Sequence, residues 1–495
     1  MDEQYTRRYP GPRWSLRFGS YAGIERVAVN DLQRLVQEYL PYVVETLPAA
    51  SGLGRDEYII LVGTPESNPL LAELVARKQV ALPEKAEGYT IALGPAPWEG
   101  KARALIVAGR DPKGVLNGVH AFGAQVLRVA AARDSDKDPG RIVDEMQDFS
   151  RTEAPAVEHR GIWTWGYVIY DYRRFFDHMA RVRMNTLVVW NTHAPINMSD
   201  VIAYAHDRGI RVIPGFHWGW STPNLKLSSA EHLASTKAHV LRTWEEGYAH
   251  LDLDGIYFQT ATESDQRELD GRTTAAWACD WVNDIARALL EKAPKLQILF
   301  GLHASSIAQD YVHLAGLDPR VTIMWEDAGV TPYSYHPQLT FDAETTAYYG
   351  GIADFEKTLE YSKRLATFRP GTPFALVPKG WTALDWTGEF EEHAPFILGE
   401  HSRAFVRKRL DARQPMWDSV NSAWLQCYPS AARFYQELLK VNPAGMMAAG
   451  LVEDGLFEER VQPSVSLFAE TLWNPNRPAE EILPAALSAH YLGSW

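Results

Sequence analysis

The chain has 495 residues, 46% of them hydrophobic and 22% charged, and a net charge of −13. That length supports a large core with smaller accessory units. The acidic balance argues against nucleic acid or an anionic membrane as partner, since either requires a basic face. No run approaches the ~18 apolar residues of a membrane helix. The opening segment Met1-Asp-Glu-Gln-Tyr-Thr-Arg-Arg-Tyr-Pro10 lacks the apolar core of a secretory signal, so a cytoplasmic location is expected. Cys279 and Cys427 have no metal-binding spacing around them and read as buried free thiols.

Helix and strand alternate on a short period up to about residue 130. Val29 to Leu47 has apolar residues at helical spacing, and Tyr58 to Gly63 is a buried strand. Asn68 to Lys78 reads as helix, Gly88 to Leu93 and Ala104 to Gly109 as strands, and Gly114 to Val129 as an amphipathic helix. This gives an α/β domain over 1–138 with few groups suited to chemistry. A polar stretch with the turn Asp138-Pro139-Gly140 makes 139–155 a linker.

Eight short apolar runs follow: Gly161 to Tyr167, Thr186 to Trp190, Ile210 to Pro214, Gly255 to Thr260, Leu296 to Leu302, Val321 to Trp325, Phe374 to Val377 and Ser419 to Leu425. Helical patterns fill most gaps, as in βα units. The expected fold class is α/β: a (β/α)8 TIM barrel over 156–428, with its site at the C-terminal ends of the strands. Residues 429–495 form a C-terminal helical region.

The strand ends carry the chemistry. Asp254-Gly-Ile-Tyr-Phe-Gln-Thr-Ala-Thr-Glu263 is a buried run leading to a carboxylic acid. Val321-Thr-Ile-Met-Trp-Glu-Asp327 is a second such run, tipped by an aromatic and two acids. Glycosidic bonds are broken by two carboxyl groups, one protonating the leaving oxygen and one activating water or attacking carbon. Glu263 is the expected acid, with Asp265 as its alternative or its tuning neighbour. Glu326 is the expected second carboxylate, with Asp327 as alternative; the bland reading of Asp327 is a helix N-cap.

Around these acids the strand ends offer Arg160, Trp163, Trp165, Asn191, His193, His217, Trp218, His303, Trp325, Lys379, Trp381 and Trp424 as sugar-binding residues, with Asn421 beside Trp424. Indole faces stack on pyranose rings, and the polar groups bond hydroxyls. The chain has 17 tryptophans, and several fall at strand ends. A metal on His193, His217 and His303 is the rival chemistry, but no H-x-H pair stands near the first strand, and neither metal nor cofactor is expected. No dinucleotide fingerprint, P-loop or nucleophile elbow occurs. The expected partner is a carbohydrate substrate, and the sequence leaves monomer and homodimer equally open. A binding barrel without catalysis is the other rival.

Four phrases resemble known enzymes. Glu87-Gly-Tyr-Thr-Ile91 and Val107-Ala-Gly-Arg-Asp-Pro-Lys-Gly-Val-Leu-Asn-Gly-Val-His-Ala-Phe122 are similar to the α/β domain that precedes the barrel in exo-acting glycoside hydrolases of families 20, 67, 84 and 115. His159-Arg160-Gly-Ile162 resembles the start of their barrel, where a similar Arg contacts sugar, and Trp473-Asn-Pro475 a phrase in their C-terminal helical parts. The resemblance implies an exo-acting glycosidase with Glu263 as general acid. In hexosaminidases an Asp precedes that acid; here it is Thr262. The polar loop, Arg272 and long helix after Glu263 are similar to the α-glucuronidases, whose water-activating carboxylates lie on later strands.

Overall fold

The computed structural model describes residues 13–51, 58–98, 102–134, 142–219, 225–260, 262, 266–303, 307, 310–326, 355–378, 381, 393–443, 445–452, 457 and 460–490. The first unit is a six-stranded sheet of β1 (Trp14–Phe18), β2 (Glu45–Pro48), β3 (Tyr58–Gly63), β4 (Tyr89–Pro95), β5 (Arg103–Gly109) and β6 (Phe149–Glu153), in the order β2-β1-β3-β5-β4-β6. Only β4 runs antiparallel to its neighbours. Its helices are α1 (Gly23–Gln37), α2 (Pro69–Ala76), α3 (Pro112–Ala121), α4 (Arg128–Arg133) and α5 (Ile142–Glu145). Asn68 and Asp111 cap α2 and α3 with their side chains, each followed by proline at the first helical position.

Two expectations fail here. The helix expected to Leu47 ends at Gln37, and residues 45–48 are an edge strand. The expected linker 139–155 holds α5 and β6. Phe149-Ser-Arg-Thr-Glu153 is a half-exposed edge strand. One wet face keeps such a strand polar, so it shows no apolar run.

The second unit is a closed barrel of eight parallel strands: β7 (His159–Trp165), β8 (Thr186–Trp190), β9 (Arg211–His217), β10 (Ile256–Gln259), β13 (Ile298–His303), β14 (Val321–Glu326), β15 (Ala375–Val377) and β16 (Met447–Leu451). A small hairpin, β11 (Glu268–Leu269) with β12 (Arg272–Thr273), follows β10. The outer layer has α6 (Tyr172–Arg181), α7 (Met198–His206), α8 (Ala230–Gly247), α9 (Thr274–Lys292), α10 (Phe355–Thr367) and α11 (Arg403–Val441), with α12 (Pro463–Trp473) and α13 (Ala479–His490) after the barrel. Both cysteines are buried and free.

Seven expected strands overlap the observed ones; the eighth does not. Ser419 to Leu425 lies inside α11, and the eighth strand is Met447-Ala-Ala-Gly-Leu451. The buried residues Trp417, Trp424, Cys427, Tyr428 and Ala431 recur at helical spacing. The barrel therefore extends to Leu451, beyond the expected boundary at 428.

Side chains alternate between the barrel interior and the helix layer. Trp163, Val188, Trp190, Ile213, Tyr257, Leu299, Met324, Ala375, Val377, Met447, Ala449 and Leu451 fill the interior as one packed cluster. The barrel is thus closed below its mouth.

The phrases that carried the family resemblance converge at the opposite end. Arg160 pairs with Glu87, whose other oxygen accepts from Asn185 Nδ2 at 2.7 Å. Arg183 pairs with Glu470 and lies 4.4 Å over the Trp473 ring, which stacks on Tyr89 at 5.5 Å. Arg477 bridges Glu470 at 2.7 Å and Glu153 at 2.9 Å. Burial alone would raise the Glu87 and Glu153 carboxyls, but the arginines beside them outweigh it and hold both below the usual range. These residues tie the sheet unit, the barrel floor and α12 together.

Candidate active site

At the C-terminal end of β14, Glu326 points inward and is 3% exposed. Its Oε1 accepts hydrogen bonds from the Tyr257 hydroxyl and from Gln259 Nε2, the latter at 2.6 Å. Gln259 Nε2 also donates to the Tyr257 oxygen at 3.1 Å. Tyr257 and Gln259 are on β10, and β13 stands between β10 and β14. The phenol reaches its partner because Gly301 of β13 has no side chain: a β-carbon there would occupy the place of the Tyr257 hydroxyl. Burial, then the charge of Glu326, raises the Tyr257 pKa well above its ordinary value, so the phenol stays a neutral donor.

Indoles enclose this group. Trp163 and Trp190 meet Tyr257 edge-on with centroids at 5.6 and 6.0 Å, and Trp165 meets both indoles at 5.2 and 5.9 Å. Trp165 is half-buried above the others. The result is an apolar cup with a hydrogen-bonded carboxyl in its wall. Trp163 and Trp165 were expected; Trp190, Tyr257, Gln259 and Gly301 were not assigned. They sit in the runs read as strand, and their spacing of two along the strands was the available signal.

Beside the cup, Asn191 directly follows β8. Its carboxamide is buried against Gly166, with neither nitrogen nor oxygen hydrogen-bonded among the described residues. His217 closes β9, and its ring stacks on His239 of α8 at 5.5 Å. Burial, then His239 and His193, lowers the His217 pKa. No three His, Cys, Asp or Glu of the described residues are placed to hold a metal.

Six residues expected in the sugar lining lie elsewhere. Arg160 is at the N-terminal end of β7, on the barrel floor, with every guanidinium nitrogen bonded to Glu87 or to backbone carbonyls of Val157, Glu158 and Arg183. Trp218 stacks on Phe258 at 3.5 Å, in the helix-side core. Trp325 precedes inward-facing Glu326 and so faces outward, against Phe368 at 6.1 Å. Trp381 and Trp424 stack on each other at 4.8 Å, beside Phe468 of α12. Asn421, on α11, bonds Gln462 and Ser464. Glu263, Asp265, Asp327 and Lys379 lie outside the described residues, as does the side chain of His303.

No family model and no curated protein matches the chain. Solved structures do. CpGH84B aligns at 12% identity over 96% of this chain and 70% of its own, with a TM-score of 0.52. A GH138 enzyme targeting pectin rhamnogalacturonan II aligns at 12% identity over 95% of this chain and 65% of its own, also at 0.52. The Flavobacterium johnsoniae chitobiase FjGH20 aligns at 9% identity over 97% and 69%, at 0.51. The chain therefore has the TIM-barrel fold of glycoside hydrolases, and it spans about two thirds of the length of these relatives. No single family among them is assigned.

Proposed function

We propose that the chain is an exo-acting glycoside hydrolase, with Glu263 as general acid and Glu326 as the second carboxylate, flanked by Asp265 and Asp327. The observation that carries this reading is the burial of Glu326 in an indole cup at the C-terminal mouth, fixed by Tyr257 and Gln259. An enclosed carboxyl beside aromatic faces suits a reaction that develops positive charge on a sugar ring. A terminal pyranose stacks on Trp165. Glu263, which follows β10 in the sequence, protonates the leaving oxygen. Glu326 then activates water or attacks the anomeric carbon.

The substrate class supported by the family resemblance is an α-glucuronide or a β-N-acetylhexosaminide. A screen of aryl glycosides of both classes, with wild type beside Glu263→Gln and Glu326→Gln, tests it. Cleavage by wild type and a loss of more than ~100-fold in each variant support the assignment. Binding of sugars without release of reducing ends would make the chain a carbohydrate-binding barrel instead.

A further inference from the structure

The interior below Tyr257 is filled, so a glycan enters the mouth only from the C-terminal face, and whatever follows its terminal sugar must lie on the rim. The rim beside β7 carries a second recess, of about 240 Å³, lined by Tyr167, Val168, Tyr170, Phe405 and Arg409. It neighbours the indoles around Glu326 through one ring contact, Tyr167 packing on Trp165 at 6.1 Å. Its far wall comes from α11, whose first turn is fixed against the segment after β7. His401 N donates to Tyr170 O at 2.9 Å, and Tyr172 N to Gly399 O at 3.3 Å. Phe405 meets Tyr170 edge-on at 5.4 Å and stacks on His401 at 4.9 Å. It remains 42% exposed. Arg409 Nε donates to the Tyr170 hydroxyl at 3.3 Å, which orients the planar guanidinium at the recess.

We infer that this recess is a second sugar subsite, which takes the pyranose on the leaving-group side of the scissile bond. An exposed ring offers an apolar face for the C–H face of a pyranose. A guanidinium beside it supplies several N–H donors in one plane, suited to a pair of adjacent hydroxyls or to a carboxylate. The recess is too small for a long glycan, so its occupant is one sugar ring. This inference rests on the glycosidase reading for the identity of the mouth. It adds that the natural substrate is a glycan of at least two sugars, the second of them held in the recess.

Phe405→Ala and Arg409→Ala test it against two substrates of the same terminal sugar, the glycosyl fluoride, whose leaving group places no ring in the recess, and the disaccharide. The expected result is a KM about tenfold higher for the disaccharide and unchanged kinetics on the fluoride, since stacking of this kind contributes up to about 1.5 kcal/mol and tenfold is 1.4. Equal effects on both substrates, or none, would overturn the subsite. If wild type cleaves nothing, the glycosidase reading fails separately, and calorimetric titration with chitobiose and with aldobiouronic acid reads the recess alone. Weaker binding in Phe405→Ala than in wild type would keep it. Equal binding, or no binding by wild type, would remove it. Thermal unfolding of both variants guards against a folding defect.

Discussion

Tyr257 and Glu326 are hydrogen-bonded across an intervening strand, and the bond exists only because residue 301 is glycine. The relationship predicts that Tyr257→Phe and Gly301→Ala have the same effect by different routes. One removes the donor and the other displaces it. A hydrogen bond to a charged group contributes roughly 1.5–3 kcal/mol, so turnover should fall by about tenfold or more in each. The double variant should be little worse than either single one, because both break the same contact. Steady-state kinetics on the substrate found in the screen would decide it. Additive losses would mean that Gly301 serves packing only.

The stereochemistry of the product separates the two roles open to Glu326. A nucleophile stands opposite the acid at a short carboxyl separation and gives retention, whereas a base leaves room for water and gives inversion. Proton NMR of the first-formed anomer reads this directly. With retention, Glu326→Gln should also fail to accumulate a glycosyl-enzyme on a fluorinated substrate that labels wild type.

Arg160 gives a prediction that runs against its expected role. It is buried on the barrel floor and paired with Glu87, far along β7 from the mouth. Arg160→Met should lower stability by about 3–5 kcal/mol, the usual result of removing one partner of a buried pair. Below its unfolding temperature the variant should keep its kcat and KM. A selective rise in KM, with urea unfolding unchanged, would return Arg160 to the substrate.

Much of the barrel was legible because its strands are buried on both faces and so read as continuous apolar runs. β16 was not, because the centre of Met447-Ala-Ala-Gly-Leu451 is small: Gly450 leaves room for the Trp381 ring, and no bulky run marks the strand. The polar edge strand β6 was hidden in the same way by its wet face. Glu326 was picked out from its place after an apolar run, and it ends β14 as a buried carboxyl. The indole lining was over-read, since an aromatic next to an inward residue must face the helices, as Trp325 does beside Glu326. Counting strand parity from Glu326 and Trp163 would have kept Trp165 and set Trp325 aside. Tyr257 and Gln259 passed as core because nothing local shows that a phenol on one strand meets a carboxyl two strands away. The resemblance phrases were informative about assembly: Glu87, Arg160 and Trp473 meet where the units join.

Two buried histidines, His120 and His178, and the half-buried His159 make stability fall on the acid side. Burial, reinforced by nearby arginines, lowers His159 to about 4, His178 to about 3, and His120 well below its ordinary 6.5. Each is neutral in the folded protein at pH 6, while the unfolded chain begins to bind protons near 6.5. The unfolded state therefore holds more protons below that pH, and stability drops as pH falls, by about 1.4 kcal/mol per unit for each histidine. The loss runs from 6.5 down to the folded value of each group. Glu87 and Glu153 act lower, because their carboxyls are held below 4.5 and their stabilisation persists until they protonate. Urea midpoints between pH 7 and 5 should thus fall steeply. His178→Gln should reduce the slope by about one proton's worth, whatever it does to stability at pH 7. A midpoint that stays level across this range would mean that these imidazoles titrate normally in the folded protein.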